Sequence, residues 1–222
     1  MPKGKYNGFK KEVLQCAQWL SGHGFFDGKL GSGGNVSRFV RRENRMVITP
    51  SGRPYHTLDT EDLCVIDAEL KQIEGSLAPS IEAGMHAGIY QHRPDVNAVV
   101  HTHQVFASVF AVINQPIPAL FDEIVYEIGP TIEIIPYAVS GSRQLVDKVV
   151  SKLDNGCFCY IIQNHGALSL GPDLTQAMKN TELLEKMAQV YCYALSTGKK
   201  ISQLPVKAVR KVLEMRISKL ET

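Results

Sequence analysis

The sequence predicts an α/β protein, a three-layer α/β/α sandwich, and three observations carry that expectation. Segments of helical period alternate with short apolar, β-branched runs of strand length. The return from Lys71 to Glu74 reads as a hairpin, so the sheet is expected to be largely antiparallel or mixed rather than wound from parallel units. The chain has 222 residues, 44% of them hydrophobic, and no repeat, low-complexity segment or long polar linker. That suits one domain over 1–222 with a well-buried core.

The elements follow in order. From Phe9 to Leu20, Val13, Leu14, Ala17, Trp19 and Leu20 recur at helical spacing, and Gly22 and Gly24 end the helix. A glycine-rich turn runs from Gly31 to Arg38. Met46 to Thr49 is a strand stopped by Pro50-Ser51-Gly52, and Leu63 to Asp67 is another. Pro79-Ser80 precedes a helix from about Ile81 to Gln91. Ala98 to His101 is a strand, and a helix starts near Gln104. Thr131 to Ile135 is a strand, and Ser142 to Leu153 is a helix preceded by Gly141. Phe158 to Gln163 is a strand, with a short one from Ala167 to Leu170. Asp173 to Ser196 is a long helix whose inner stripe is Leu174, Ala177, Leu184, Met187, Ala188 and Tyr191. Pro205 to Leu220 is a further amphipathic helix.

The formal net charge of +2 gives no electrostatic case for nucleic acid or an anionic membrane as partner. The first residues, Met1 to Tyr6, lack an apolar signal core, and no run reaches membrane-spanning length, so a cytoplasmic protein is expected. The five cysteines are odd in number and mostly scattered among apolar residues, which reads as free thiols in a reducing compartment. Cys157-Phe158-Cys159 has soft-metal spacing, but no second cysteine pair supports it.

The chemistry concentrates in His101-Thr102-His103 and His165. The first two close the apolar run Asn97-Ala98-Val99-Val100, and side chains at i and i+2 of a strand share a face. Burying two imidazoles there without a ligand or partner would be costly. His165 ends a second apolar run and is followed by Gly166. Three such histidines suit an open metal site, because catalytic zinc takes three protein ligands and keeps a fourth position for water or substrate. Imidazole also suits cobalt, manganese or iron.

Glu82 stands at a helix start. Near a metal it can be ligand or general base, with a pKa raised by desolvation; the plainer reading is an acid favoured by the first turn. His86, four residues on, shares its helix face and is a rival ligand, though a packed or surface histidine is the simpler assignment. His23, His56 and His92 read as structural. The run from Gly31 to Ser37 has the makings of an anion cradle, with Ser32, Asn35 and Ser37 as side-chain donors, and Pro50-Ser51-Gly52 and Ser80 as further small-polar loops. Tight turns use the same residues.

Taken together, Gly31-Ser32-Gly33-Gly34-Asn35-Val36-Ser37, Ile48-Thr49-Pro50-Ser51-Gly52, Glu82 with Met85-His86, Val100-His101-Thr102-His103 and Gln163-Asn164-His165-Gly166 stand in the order seen in class II aldolases. The chain resembles the superfamily of fuculose-phosphate aldolases, ribulose-phosphate 4-epimerases and adducin heads over nearly its whole length. The resemblance implies an α/β/α sandwich around a mostly antiparallel sheet, and homotetramers with active sites at subunit interfaces. It implies His101, His103 and His165 as ligands of one Zn2+ per subunit, another divalent transition metal being possible. Glu82 falls on the acidic residue that can touch the metal at rest and act as acid/base in turnover. Asn35, Ser51, Gly52 and Ser80 match loops that hold a substrate phosphate, with Ser32 at the start of the first.

Two departures stand out. Ser80-Ile81-Glu82 replaces the Ser-Ser-Glu common in the sugar-phosphate aldolases, and Ile81 cannot donate a hydrogen bond. The helix from Lys207 to Thr222 has no tyrosine to serve as proton donor, which leaves Asp122 or Tyr126, after the His-x-His helix, as substitutes. The expected activity is a metal-dependent lyase that cleaves a carbon–carbon bond of a sugar phosphate through a stabilised enediolate. Decarboxylation of a 3-oxo-tetronate phosphate comes second and pentulose-phosphate 4-epimerisation third. The expected partner is a small sugar phosphate or oxo acid phosphate. A non-catalytic adducin-like scaffold is the reading from another class, disfavoured because this chain keeps the whole histidine set and Glu82.

Overall fold

The computed structural model describes residues 4–26 and 33–220. Nine strands form one sheet in the order β4-β3-β2-β1-β5-β9-β8-β7-β6. They are β1 (Asn35–Val40), β2 (Arg45–Ile48), β3 (Cys64–Ile66), β4 (Gln72–Glu74), β5 (Ala98–Thr102), β6 (Ile117–Pro118), β7 (Thr131–Ile135), β8 (Cys159–Ile162) and β9 (Gly166–Gly171). Among the described residues every pairing is antiparallel except β7 with β8. The hairpin expected after Lys71 is the β3–β4 return.

Strand alternation sends side chains to two helical layers. Met46, Ile48, Val99, Tyr160 and Leu168 face α2 (Ala83–His92) and α5 (Arg143–Val150) through Met85, Ile89, Leu145 and Val149. On the opposite face, Val36, Val47, Val65, Ala98 and Val100 meet α1 (Asn7–Gly22) through Val13, Leu14, Ala17 and Leu20. Cys159, Ile161 and Ala167 meet α3 (Val105–Ile113), α4 (Asp122–Glu127) and α6 (Leu174–Ser196) through Phe110, Ile124, Leu184 and Met187. The architecture is therefore the expected α/β/α sandwich around a mostly antiparallel sheet. Each fully buried Leu or Ile in these clusters contributes roughly 1.5–3 kcal/mol. The last helix, α7 (Val206–Leu220), packs on α4.

Local sequence explains the helix ends. Asp173 caps α6 by accepting from the Gln176 amide at 2.8 Å, and Ser142 caps α5 by accepting from Leu145 at 3.2 Å. One expectation needs correction. The glycine-rich turn does not run to Arg38, because β1 begins at Asn35, where the backbone pairs with β2 and β5. The stretch after Phe121, to which the sequence assigned no element, is the short helix α4, held by Ile124 and Val125. No helix among the described residues is long and apolar enough to cross a membrane.

Candidate active site

The three histidines meet at one end of β5 and β9. His101 lies on β5, and His103 follows one residue past its end. His165 closes the turn between β8 and β9, where Ile162 pairs with Gly166. That turn needs Asn164 in the left-handed region (φ 52°), which asparagine tolerates better than most residues. Gly166 is required by space. A Cβ there would lie 2.4 Å from the Thr102 carbonyl oxygen and 2.6 Å from the His103 ring.

His101 donates from Nδ1 to the Ala167 carbonyl at 2.9 Å, so Nε2 carries the free lone pair and points at the other histidines. Its Nε2 is 3.1 Å from Nε2 of His103. The ligand atoms of His101, His103 and His165 all lie within 4.8 Å of one another. Ligands of a tetrahedral ion bound at roughly 2.0–2.1 Å stand about 3.3 Å apart, so both spacing and donor chemistry fit a divalent metal.

Glu82 stands beside the triad, one position before α2. Its Oε2 is 3.3 Å from His101 Nε2 and its Oε1 is 3.3 Å from His165 Nε2. Oε2 also accepts from Asn35 Nδ2 at 2.8 Å. Oε1 is buried without a hydrogen-bond partner among the described residues, as is Asn35 Oδ1. Burial pushes the Glu82 carboxyl up, but His101, His165 and the Asn35 hydrogen bond outweigh it, and the net shift is downward. The upward shift expected from desolvation alone is therefore reversed. Burial holds His101 down to about 4, so it is the neutral, ligating form at pH 7.

The site opens into a cavity of about 260 Å³ whose walls include Glu82, His103 and His165. Asn35, Ser51, Gly52 and Ser80 line the same cavity, so the loops singled out in the sequence do converge on the histidines. They are tied together by Ser51 N–H donating to Ala78 O at 2.9 Å and Ser80 N–H donating to Thr49 O at 3.1 Å. Ser80 Oγ accepts from the Glu82 amide at 3.2 Å. Ser32 lies outside the described residues. Ile81 also lines the cavity and is 66% exposed, so the departure noted in the sequence puts an apolar surface at the site.

Other candidates sit elsewhere. Asp122 and Tyr126 do not line the cavity. They ride on α4, which packs by Ile124 and Ile128 in the layer across the sheet from Glu82 and α2. Ser37 is not an anion donor. It points inward from β1 and is fully buried against His86. His86 does not join the cluster of ligand atoms: it is fully buried, with Ser37 Oγ 2.6 Å from its Nδ1. Sequence reading missed Ser140, whose Oγ is 3.3 Å from His165 Nε2 on the cavity wall. Its only signal was a position just before Gly141 and the Ser142 helix cap.

The model of the family described as Class II Aldolase and Adducin N-terminal domain matches residues 11–192. A protein of Escherichia coli O6:H1 named L-fuculose phosphate aldolase is 37% identical over 184 residues, covering 83% of this chain and 84% of that protein. One of the same name from Haemophilus influenzae is 34% identical over 183 residues, covering 82% and 83%. A solved structure titled L-fuculose 1-phosphate aldolase superposes with a TM-score of 0.86 at 29% identity, over 94% of this chain and 95% of that one.

Proposed function

The chain belongs to the class II aldolase and adducin N-terminal domain family, and from that premise we propose that it is an aldolase cleaving a ketose 1-phosphate at a His101–His103–His165 metal centre. The substrate we assign is L-fuculose 1-phosphate or a close analogue, on the strength of the relatives' names. The observation that carries the reading is the contact of one buried carboxylate, Glu82, with two nitrogens of the histidine triad in the wall of the cavity.

Residues 1–222 act as one class II aldolase-like domain in this reading. Zn2+ is the ion we assign, because three imidazole ligands are a donor set that catalytic zinc takes, keeping a further position for water or substrate. Such an ion supplies Lewis-acid stabilisation of the negative charge left on the ketose half when the carbon–carbon bond breaks. Asn35, Ser51, Gly52 and Ser80 hold the phosphate at the cavity wall. The hydroxyl whose carbon becomes the aldehyde gives up its proton, and Glu82, protonated in its place, delivers a proton to the carbon freed by cleavage and removes it in the reverse direction. Asn35 keeps that carboxylate oriented through its hydrogen bond. The products are a three-carbon ketose phosphate and an aldehyde.

The assembly we assign is a homotetramer with active sites at subunit interfaces. Exposed Val105, Val112 and Ile113 on α3 and Tyr193 on α6 support it, since apolar side chains grouped on a surface favour association. In that arrangement Asp122 and Tyr126 serve a neighbouring subunit's cavity rather than their own. A cytoplasmic location is supported by five free cysteines, four of them buried.

The test is a panel of ketose 1-phosphates and oxo-tetronate phosphates. Aldehyde release from L-fuculose 1-phosphate is the expected result. Carbon dioxide release from an oxo-tetronate phosphate, with no ketose cleaved, would replace the aldolase by a decarboxylase.

A further inference from the structure

Behind the metal-site residues, Ser37, His86 and Tyr90 form a polar column between β1 and α2. Ser37 Oγ lies 2.6 Å from His86 Nδ1 and 2.6 Å from the Tyr90 hydroxyl, and Tyr90 donates to the Ser37 carbonyl at 3.1 Å. His86 and Ser37 are fully buried, and Tyr90 is 2% exposed. Whichever way the hydroxyl hydrogens turn, His86 is tied at Nδ1.

The column continues the Glu82 contact one step deeper. Asn35 and Ser37 point from β1 to the face that carries His101, with Asn35 paired to His101 and Ser37 to Val99. Glu82, His86 and Tyr90 recur every four residues, one stripe of α2 and its cap. Each rung is occupied: Asn35 with Glu82, Ser37 with His86 and Tyr90, and Phe39 stacked on Tyr90 at 4.9 Å.

As a stabiliser this column is a poor choice. His86 Nε2 is buried with no hydrogen-bond partner among the described residues, and apolar side chains of similar volume would cost less. What the column supplies is direction. The other face of α2 meets α5 through small residues, where a Cβ added to Gly88 would lie 2.8 Å from Val146. That apolar packing sets the spacing of the two helices; the directional hydrogen bonds of the column add a fixed register on the β1 side, where a slip of one residue would move the helix end by about 1.5 Å and turn it by about 100°. Glu82 has no side-chain cap of its own to resist that slip.

We propose that His86, held by Ser37 and Tyr90, is a positioning residue that fixes the Glu82 carboxylate against His101 and His165; the role rests on the reading of Glu82 as the proton-transfer group. The test compares His86→Leu, Ser37→Ala and His86→Asn, the last placing an amide where Nδ1 stands. Each is loaded with Co2+ and followed by visible absorption, which reports ligand geometry without turnover, and by kcat and KM on L-fuculose 1-phosphate. His86→Leu and Ser37→Ala are expected to bind cobalt in the wild-type ratio and to shift the absorption band. Their kcat should fall on the order of 10- to 100-fold with little change in KM, and His86→Asn should recover most of both signals. If His86→Leu does not fold, Ser37→Ala, which removes a single hydroxyl, carries the test. Variants with the wild-type cobalt spectrum and wild-type kcat would overturn the positioning role. A wild-type protein that cleaves no ketose phosphate, while both variants still shift the band, would sink the aldolase reading and leave the positioning role standing.

Discussion

Glu82 Oε2 stands 3.3 Å from His101 Nε2, with an ionised carboxylate facing a neutral imidazole. The group we propose as base and one of the proposed metal ligands thus stand in contact. Glu82→Gln keeps the volume and removes the basicity. It is expected to lower kcat by about 10²–10⁴-fold while metal content, read by elemental analysis, stays at the wild-type value. Full activity in that variant would end the acid/base role.

Gly166 admits the histidine pair only because it has no Cβ. Gly166→Ala forces a methyl against the Thr102 carbonyl and the His103 ring, so both rings must shift. The expected outcome is loss of metal affinity larger than any loss of melting temperature, measured by metal titration beside a thermal scan.

Ser51 and Ser80 contact the substrate, in this reading, only through phosphate. Ser51→Ala is expected to raise KM for L-fuculose 1-phosphate roughly tenfold, the cost of one hydrogen bond to a charged group. The same change should leave any turnover of unphosphorylated L-fuculose nearly untouched. An equal effect on both sugars would remove Ser51 from the phosphate site.

Burial holds His86 down to about 3. A histidine whose folded pKa is depressed binds its proton in the unfolded chain first. Stability is therefore expected to fall as pH drops from about 6.5, the unfolded value, toward about 3, at up to about 1.4 kcal/mol per pH unit for this one imidazole. Urea unfolding of the metal-free protein should show that slope, and His86→Asn should lack its His86 share. Equal slopes in the two proteins would mean that His86 is protonated in the folded state.

Much of this was legible in the sequence, and the exceptions have physical causes. The spacing of His101 and His103 at the end of a β-branched run suggests a shared strand face; the two rings do meet, though His103 lies one residue past β5. The helix from Asp173 announces itself through a cap and a long apolar stripe, and both are present. Ser37 misled because a serine after three glycines reads as loop, whereas its partner His86 stands 49 residues away and only the β1–α2 packing joins them. The helix α4 spans six residues, too short for a periodic signal, so nothing in the sequence placed Asp122 and Tyr126 on a helix across the sheet from Glu82. Ser140 reaches His165 over 25 residues through a turn that carries no motif. In each of these the decisive contact is tertiary, and no local pattern encodes it.

The most direct test of the whole assignment is metal analysis of the purified protein paired with cleavage of L-fuculose 1-phosphate before and after chelation. The expected result is about one ion per chain, cleavage that disappears with the metal and returns with Zn2+, and a His103→Ala variant lacking both. Cleavage at full rate by metal-free protein, or a metal-replete protein that cleaves no ketose phosphate, would contradict it.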